Sequence, residues 1–291
     1  MRTISFILGL AILPGSLQAR DIQVDNISGN DSQLAQIRPF RSINRAMLAA
    51  QKGDRIIIEN TGEPYHESIT LQGGRHSGGE RISFTIVGNG AVLDGTMPVP
   101  DDKWEFVRGH IFRFRPRFIS YQQFFLDGLP AQRRPVLQSG VLPKLEELEW
   151  CLFKGYIYFR TEKGRLAHQY DTSYAAKRVG ITLYEVQNVV IDGLVVQGFQ
   201  LDGINAADSV FNATFVGIVS QGNGRSGISV NGSCRVSIEA CLVGHNGEAQ
   251  IRIDGYSKTR IANCNLLENP APKVLKKGGS VEFVGSVGAT K

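Results

Sequence analysis

Ile181-Thr182-Leu183-Tyr184, Ile204-Asn205-Ala206, Ile228-Ser229-Val230, Ile251-Arg252-Ile253 and Val274 recur at steps of 23, 24, 23 and 23 residues. Other positions keep the same step. Two residues after each start stand Leu183, Ala206, Val230 and Ile253; ten residues after, Ile191, Thr214, Ile238 and Ile261; fifteen after, Val196, Val219, Val243 and Leu266. Within a segment the alternation has period two, with Ile228 and Val230 on one side and Ser229 and Asn231 on the other. That is strand grammar, three short strands per unit, punctuated by glycines such as Gly203, Gly222, Gly227 and Gly247. A unit this short cannot bury its own apolar side, so stacked units must share one core. The helical period and the Leu-x-x-Leu-x-Leu of leucine-rich repeats are both missing. The reading is an all-β, parallel β-helix.

Outward from this block, the N-terminal side continues the grammar. Pro39-Phe40-Arg41-Ser42-Ile43, Ala46, Ala49-Ala50 and Gly53-Asp54-Arg55-Ile56-Ile57-Ile58 are followed by Tyr65 to Leu71, Ile86 to Gly90 and Leu93-Asp94-Gly95. These segments resemble the entry region of the pectate-lyase-like, right-handed parallel β-helix proteins. The resemblance implies a polysaccharide-handling fold with substrate along an outward strand face. Phe40, Ile43, Met47 and Ala50 share one helical face, Ser42 is the expected N-cap and Gly53 the expected stop, so an N-terminal capping helix is expected. Asp54 to Leu93 and Ile181 to Leu267 are expected to form one stack.

Between residues 97 and 180 the period disappears. Trp104, Phe112, Phe124-Phe125, Trp150, Tyr158 and Phe159 lie in strand-like segments, and Leu126-Asp127-Gly128 and Lys154-Gly155 read as hairpin tips. This stretch is expected to be an irregular antiparallel elaboration of a single domain, residues 20–291; a separate small β-domain is the alternative.

Residues 1–19 read as an export signal: Arg2, the apolar run Ile4 to Ile12, and a small residue, Ala19, before the cut. The run is too short to span a bilayer, and no later segment is long and apolar enough to do so. A periplasmic or secreted location follows. The net charge of +5, or +4 without Arg2, is scattered rather than clustered, which argues against nucleic acid. Four cysteines without a Cys-x-x-Cys pair argue against zinc. Cys241 and Cys264 stand thirteen residues into their units, level with Leu194 and Gly217, and are expected to be stacked, buried, free thiols.

The outward row of the first strand is polar, from Thr182 and Tyr184 through Asn205, Ser229 and Asn231 to Arg252 and Asp254. Cleaving a uronate by elimination requires neutralising its carboxylate, removing the C5 proton and protonating the leaving oxygen. Arg252, Tyr184 and Lys258 are the candidate catalytic groups, with Asn205, Asn231 and Asp254 as substrate contacts. Asp202, Asp208 and Asp254 are candidate ligands for calcium; no other cofactor is expected. The expected function is that of an exported lyase acting on an acidic polysaccharide, with a non-catalytic glycan-binding or envelope protein as the alternative. The family's catalytic motifs do not carry over: Arg252-Ile253-Asp254 and Gly244-His245-Asn246 only approximate the Arg-x-Lys and Gly-His-Gly of polygalacturonases. His66, His76 and His245 read as hydrogen-bonded turn residues, and Asn223, Asn246 and Asn269 as turn residues tolerant of left-handed backbone.

Overall fold

The computed structural model describes residues 19–32, 38–137, 140–267 and 269–288. The export-signal expectation falls almost wholly outside them. Most of the described chain winds into a parallel solenoid of three sheets with eight, six and five strands. The strands Ile181–Tyr184, Gln187–Asp192 and Val195–Gln197 make up one rung, one strand to each sheet.

The register follows the sequence period in the six-stranded sheet. Ile69, Ile181, Ile204, Ile228, Ile251 and Val274 are successive partners. All but Val274 are buried. The pairing of Ile69 with Ile181 closes the stack across the interrupted stretch, as do Ile86 with Ile191 and Leu93 with Val196. A single apolar cluster runs from Ile22 to Leu266 along this stack.

In the other two sheets one rung differs from the expected alignment. Phe215, not Thr214, pairs with Ile191 and Ile238, and Ser220, not Val219, pairs with Val196 and Val243. The physical cause is a bulge. Leu183 pairs with Ala206 but Tyr184 pairs with Asp208, so Ala207 is the additional residue of the 24-residue unit. Everything after it in that rung shifts by one, and Ile218 rather than Gly217 stands level with Leu194, Cys241 and Cys264, as the bonds from Val219 N to Leu194 O, Leu242 N to Ile218 O and Asn265 N to Cys241 O show. Ser220 is tolerated inside an apolar row because its hydroxyl donates to Gly227 O at 2.9 Å.

Cys241 and Cys264 are buried, free thiols. The neighbouring Cys264 and burial together push the Cys241 thiol up. The asparagines expected as turn residues do stand at a turn between strands, but none takes positive φ; they stack from rung to rung, and Asn223 and Asn246 are buried. Asn223 N donates to Asn246 Oδ1 at 2.9 Å, and Phe199 N donates to Asn223 Oδ1 at 3.1 Å. At this corner the chain leaves strand geometry, and the side-chain amides supply acceptors that the ladder no longer provides.

The helix Ile43–Ala49 is N-capped by Ser42, whose side chain accepts from Arg45 N. It buries Ile43, Ala46 and Met47 against the first strands of the stack. Gly53, with a positive φ of 80°, lies beyond its end.

The stretch from Thr96 to Ala175 is antiparallel, in two four-stranded sheets. Its apolar side chains form their own cluster around Phe114, Phe124, Trp150 and Phe159. Both expected hairpin tips are present. Asp127-Gly128 and Lys154-Gly155 all take positive φ, the geometry that twists with the flanking strands.

Candidate functional site

Thr182, Asn205, Ser229 and Arg252 are successive partners on the six-stranded sheet and alternate with the buried apolar row. Two residues further along each strand stand Asn231 and Asp254, whose backbone N–H groups continue the ladder onto Ala206 O and Val230 O. The side chains cross-link from rung to rung. Asn231 Nδ2 donates to Asn205 Oδ1 at 2.7 Å and to Ser229 Oγ at 3.1 Å. The next rung is charged. Arg252 donates from Nε to Asp254 at 2.7 Å and from Nη1 to Glu248 at 3.0 Å. Arg252 keeps 16% of its side chain exposed between these two carboxylates.

A second charged column lies at the corner leading into the same sheet. Arg225 and Glu248 are level on adjacent rungs, with Glu248 N donating to Arg225 O, and Asp202 lies one place out of line on the rung before, its ladder partner being Ser226. Asp202 is fully buried; Arg225 grips both of its carboxylate oxygens, and Ser226 Oγ donates to one of them at 2.6 Å. That carboxylate holds the Arg225 guanidinium above its ordinary pKa. A buried charge persists only when paired and hydrogen-bonded in this way.

The antiparallel stretch forms a wall beside this corner. Gln200 Nε2 donates to Ser120 O at 2.8 Å, and the Arg178 guanidinium lies over the Phe118 ring at 5.2 Å. Tyr121 presses its carbonyl against Gly224 so closely that a Cβ there would stand 1.6 Å from it. Arg178, Arg225, Glu248 and Arg252 therefore border a polar face flanked on one side by the inserted sheets.

The expected site residues divide between places. Asn205, Asn231, Arg252 and Asp254 come together. Tyr184 lies on the same sheet, but its partner is Asp208, and it is separated from Asp254 by the intervening rungs. Its hydroxyl is hydrogen-bonded to Glu185, which raises its pKa from the ordinary value. Lys258 is elsewhere: it pairs with Arg235 and Ser280 on the eight-stranded sheet. The proposed calcium ligands are also dispersed. Asp202 is saturated by Arg225 and Ser226, Asp208 accepts from Ser233 N at 3.1 Å, and Asp254 holds Arg252. Among the described residues no three His, Cys, Asp or Glu side chains are grouped to hold a metal ion. Arg225 and Glu248 were missed as site residues; Glu248 follows Arg225 by the 23-residue step of Ile228 and Ile251, but the ladder step at Asp202 is 24 residues, onto Ser226.

Residues 171–286 match the family described as "Right handed beta helix region". No curated protein matches the sequence. Among solved structures, a glycoside hydrolase superposes with a TM-score of 0.61 at 11% identity, over 85% of this chain and 73% of that one. XylC in complex with xylose gives 0.43 at 12% identity, over 90% and 69%. Pectate lyase Pel9A gives 0.34 at 13% identity, over 94% and 78%. At these identities the likeness is one of fold.

Proposed function

We propose that this right-handed parallel β-helix protein is exported and acts on an acidic polysaccharide laid across the outward face of its six-stranded sheet. The observation that carries this is Arg252, partly exposed at the edge of a cross-linked polar face and held there by Glu248 and Asp254. A guanidinium cannot serve as a base near neutral pH, so its role is to bind and neutralise a uronate carboxylate. That is the first requirement of lyase chemistry. Asn205 and Asn231 present amide groups on the preceding rungs for hydroxyl contacts. The charge is supplied by arginine, so a chelator should leave substrate binding unchanged.

A second reading, glycan binding without cleavage, is favoured by one specific observation. Neither Tyr184 nor Lys258 stands beside Arg252 to move a proton. One experiment separates the two. The protein is incubated with a panel of acidic and neutral polysaccharides, and product is read as the near-ultraviolet absorbance of unsaturated uronates, with binding measured in parallel. Product that falls by at least about tenfold in Arg252→Ala, as expected for loss of a charge-assisted contact, supports the lyase. Binding without product supports the second reading. Neither binding nor product on any acidic polysaccharide would overturn both. Sequencing the mature N-terminus tests export, with Arg20 expected as its first residue.

A further inference from the structure

The eight-stranded sheet also has an outward face, and its charge changes along the stack. Ile57, Val87, Val190 and Val216 stand among its outward residues on the early rungs. On the late rungs the outward residues include Arg235 paired with Lys258, and Ser237 paired with Arg260. They line a cavity of about 410 Å³ together with Asn212 and Ser280.

Arg235 and Lys258 are directly paired across adjacent strands, roughly 4.8 Å apart, an arrangement of like charges that destabilises a sheet unless something neutralises it. No carboxylate is ion-paired to either among the described residues. Arg235 donates to Ser233 O at 3.1 Å and lies over the Phe211 ring at 5.4 Å. Arg260 is ion-paired to Glu239 at 2.7 Å, and Glu282 is the one acidic residue lining the cavity. Phe211 is exposed and borders a second cavity of about 300 Å³, lined also by Ser77, Gln187 and Ser209 and by one residue of each charge, Lys52 and Glu185. Phe211, which lines the second cavity, is the chain neighbour of Asn212, which lines the first. The combination of paired cations, amide and hydroxyl groups, and an exposed aromatic ring matches an anionic sugar, whose acid group needs cations and whose hydroxyls and ring C–H groups need the rest.

We propose that the outward face of the eight-stranded sheet is a second binding surface for an anionic saccharide, centred on Arg235 and Lys258 and separate from the Arg252 face. It needs no chemistry at the six-stranded sheet and stands if that reading fails. The shared ligand chemistry is a carboxylate or sulfate on a sugar, and the arms of the test distinguish the two.

Titration calorimetry of the full mature chain would use oligogalacturonate, dextran sulfate and unmodified dextran as probes. One or both anionic probes are expected to bind and dextran not to. Lys258→Ala and Arg235→Ala are each expected to weaken that binding about tenfold, the size of one charge-assisted hydrogen bond. Arg252→Ala should leave this component unchanged, which distinguishes it from binding at the other face. Because the side chains are on the surface, both variants should fold, which circular dichroism melting verifies. Absence of binding by both anionic probes would overturn the proposal. So would binding lost in Arg252→Ala but retained in Lys258→Ala and Arg235→Ala, or duplex DNA binding as tightly as either saccharide.

Discussion

The solenoid and the antiparallel stretch inserted into it solve the same problem, burying apolar side chains from short strands, by opposite routes. In the solenoid each side chain packs on its equivalent one rung away, so Ile181, Ile204, Ile228 and Ile251 form a row in which every member has the same neighbours. In the insert, aromatic rings of different kinds interlock without a repeat: Phe124 meets Trp104, Phe114, Trp150 and Phe159 at centroid distances of 5.2–6.2 Å. The first arrangement is quasi-one-dimensional; the second is a small closed core. Repetition makes a site extensible along a face, whereas the closed core supplies a rigid wall for it.

The two tryptophans, Trp104 and Trp150, both lie in the insert. Tryptophan fluorescence therefore follows the insert, and far-ultraviolet circular dichroism mainly follows the solenoid. Phe215→Ala and Phe124→Ala each empty a fully buried ring site and should each cost about 3–5 kcal/mol. Denaturant titrations should show Phe215→Ala moving the dichroism midpoint most, and Phe124→Ala the fluorescence midpoint most. Identical shifts by both probes in both variants would mean that the two regions unfold as one.

The next effect concerns the corner where the regions meet. Arg225→Ala leaves Asp202 buried without its partner and should destabilise the chain by about 3 kcal/mol. Replacing both, Arg225→Met with Asp202→Leu, should recover most of that loss. A double variant as unstable as the single one would show that the pair itself contributes.

A smaller loss is expected from Gly224→Ala. The added Cβ would meet the carbonyls of Tyr121 and Gln200, both backbone atoms, and one region must move off the other at a cost of about 2 kcal/mol. Protease sensitivity within residues 115–125 should rise while the solenoid's dichroism stays unchanged. A melting curve equal to that of the parent would show that the seam yields freely.

The smallest effect is that of acid on the early rungs. His76 accepts from Gln72 N at Nδ1, 3.0 Å, and its Nε2 lies 3.0 Å from Met47 O, which fixes the neutral Nε2–H form. Burial lowers its pKa below the ordinary value. The unfolded chain therefore takes up the proton first on acidification. The stability this histidine contributes is present above about pH 6.5 and is lost as pH falls through its folded value. Melting temperature should drop between pH 7.5 and 5, and His76→Gln should remove part of that drop. An unchanged drop would assign it to other groups.

How much of this was legible follows from the same contrast. The six-stranded rows could be read because equivalent residues recur at fixed steps, and Arg225 and Glu248 stand at the same 23-residue interval as Ile228 and Ile251. The position of the additional residue in the 24-residue unit could not be read. Val219 is the apolar choice and Ser220 the polar one, yet the bulge at Ala207 turns Ser220 inward, where its hydrogen bond to Gly227 O satisfies it. The separation of Lys258 from Arg252 was hidden as well. They lie six residues apart in the chain, but a corner intervenes and sends their side chains to different sheets. The docking of Tyr121 on Gly224 joins distant residues with no shared period, so spacing holds no trace of it.

The pairing of Ile69 with Ile181 has a consequence in time. Leu93 and its rung are complete long before the strands that cover them exist, because residues 95–180 must be made first. At roughly 5–20 residues per second, several seconds separate the two events during translation. Throughout that interval the early rungs present open strand edges, the form most prone to pairing with another chain. The insert has mostly local antiparallel pairings, which close faster than distant parallel ones. It can therefore finish while the early rungs wait, and the returning strand Ile181–Tyr184 then seats on the Ile69–Gln72 edge beside an insert that is already folded.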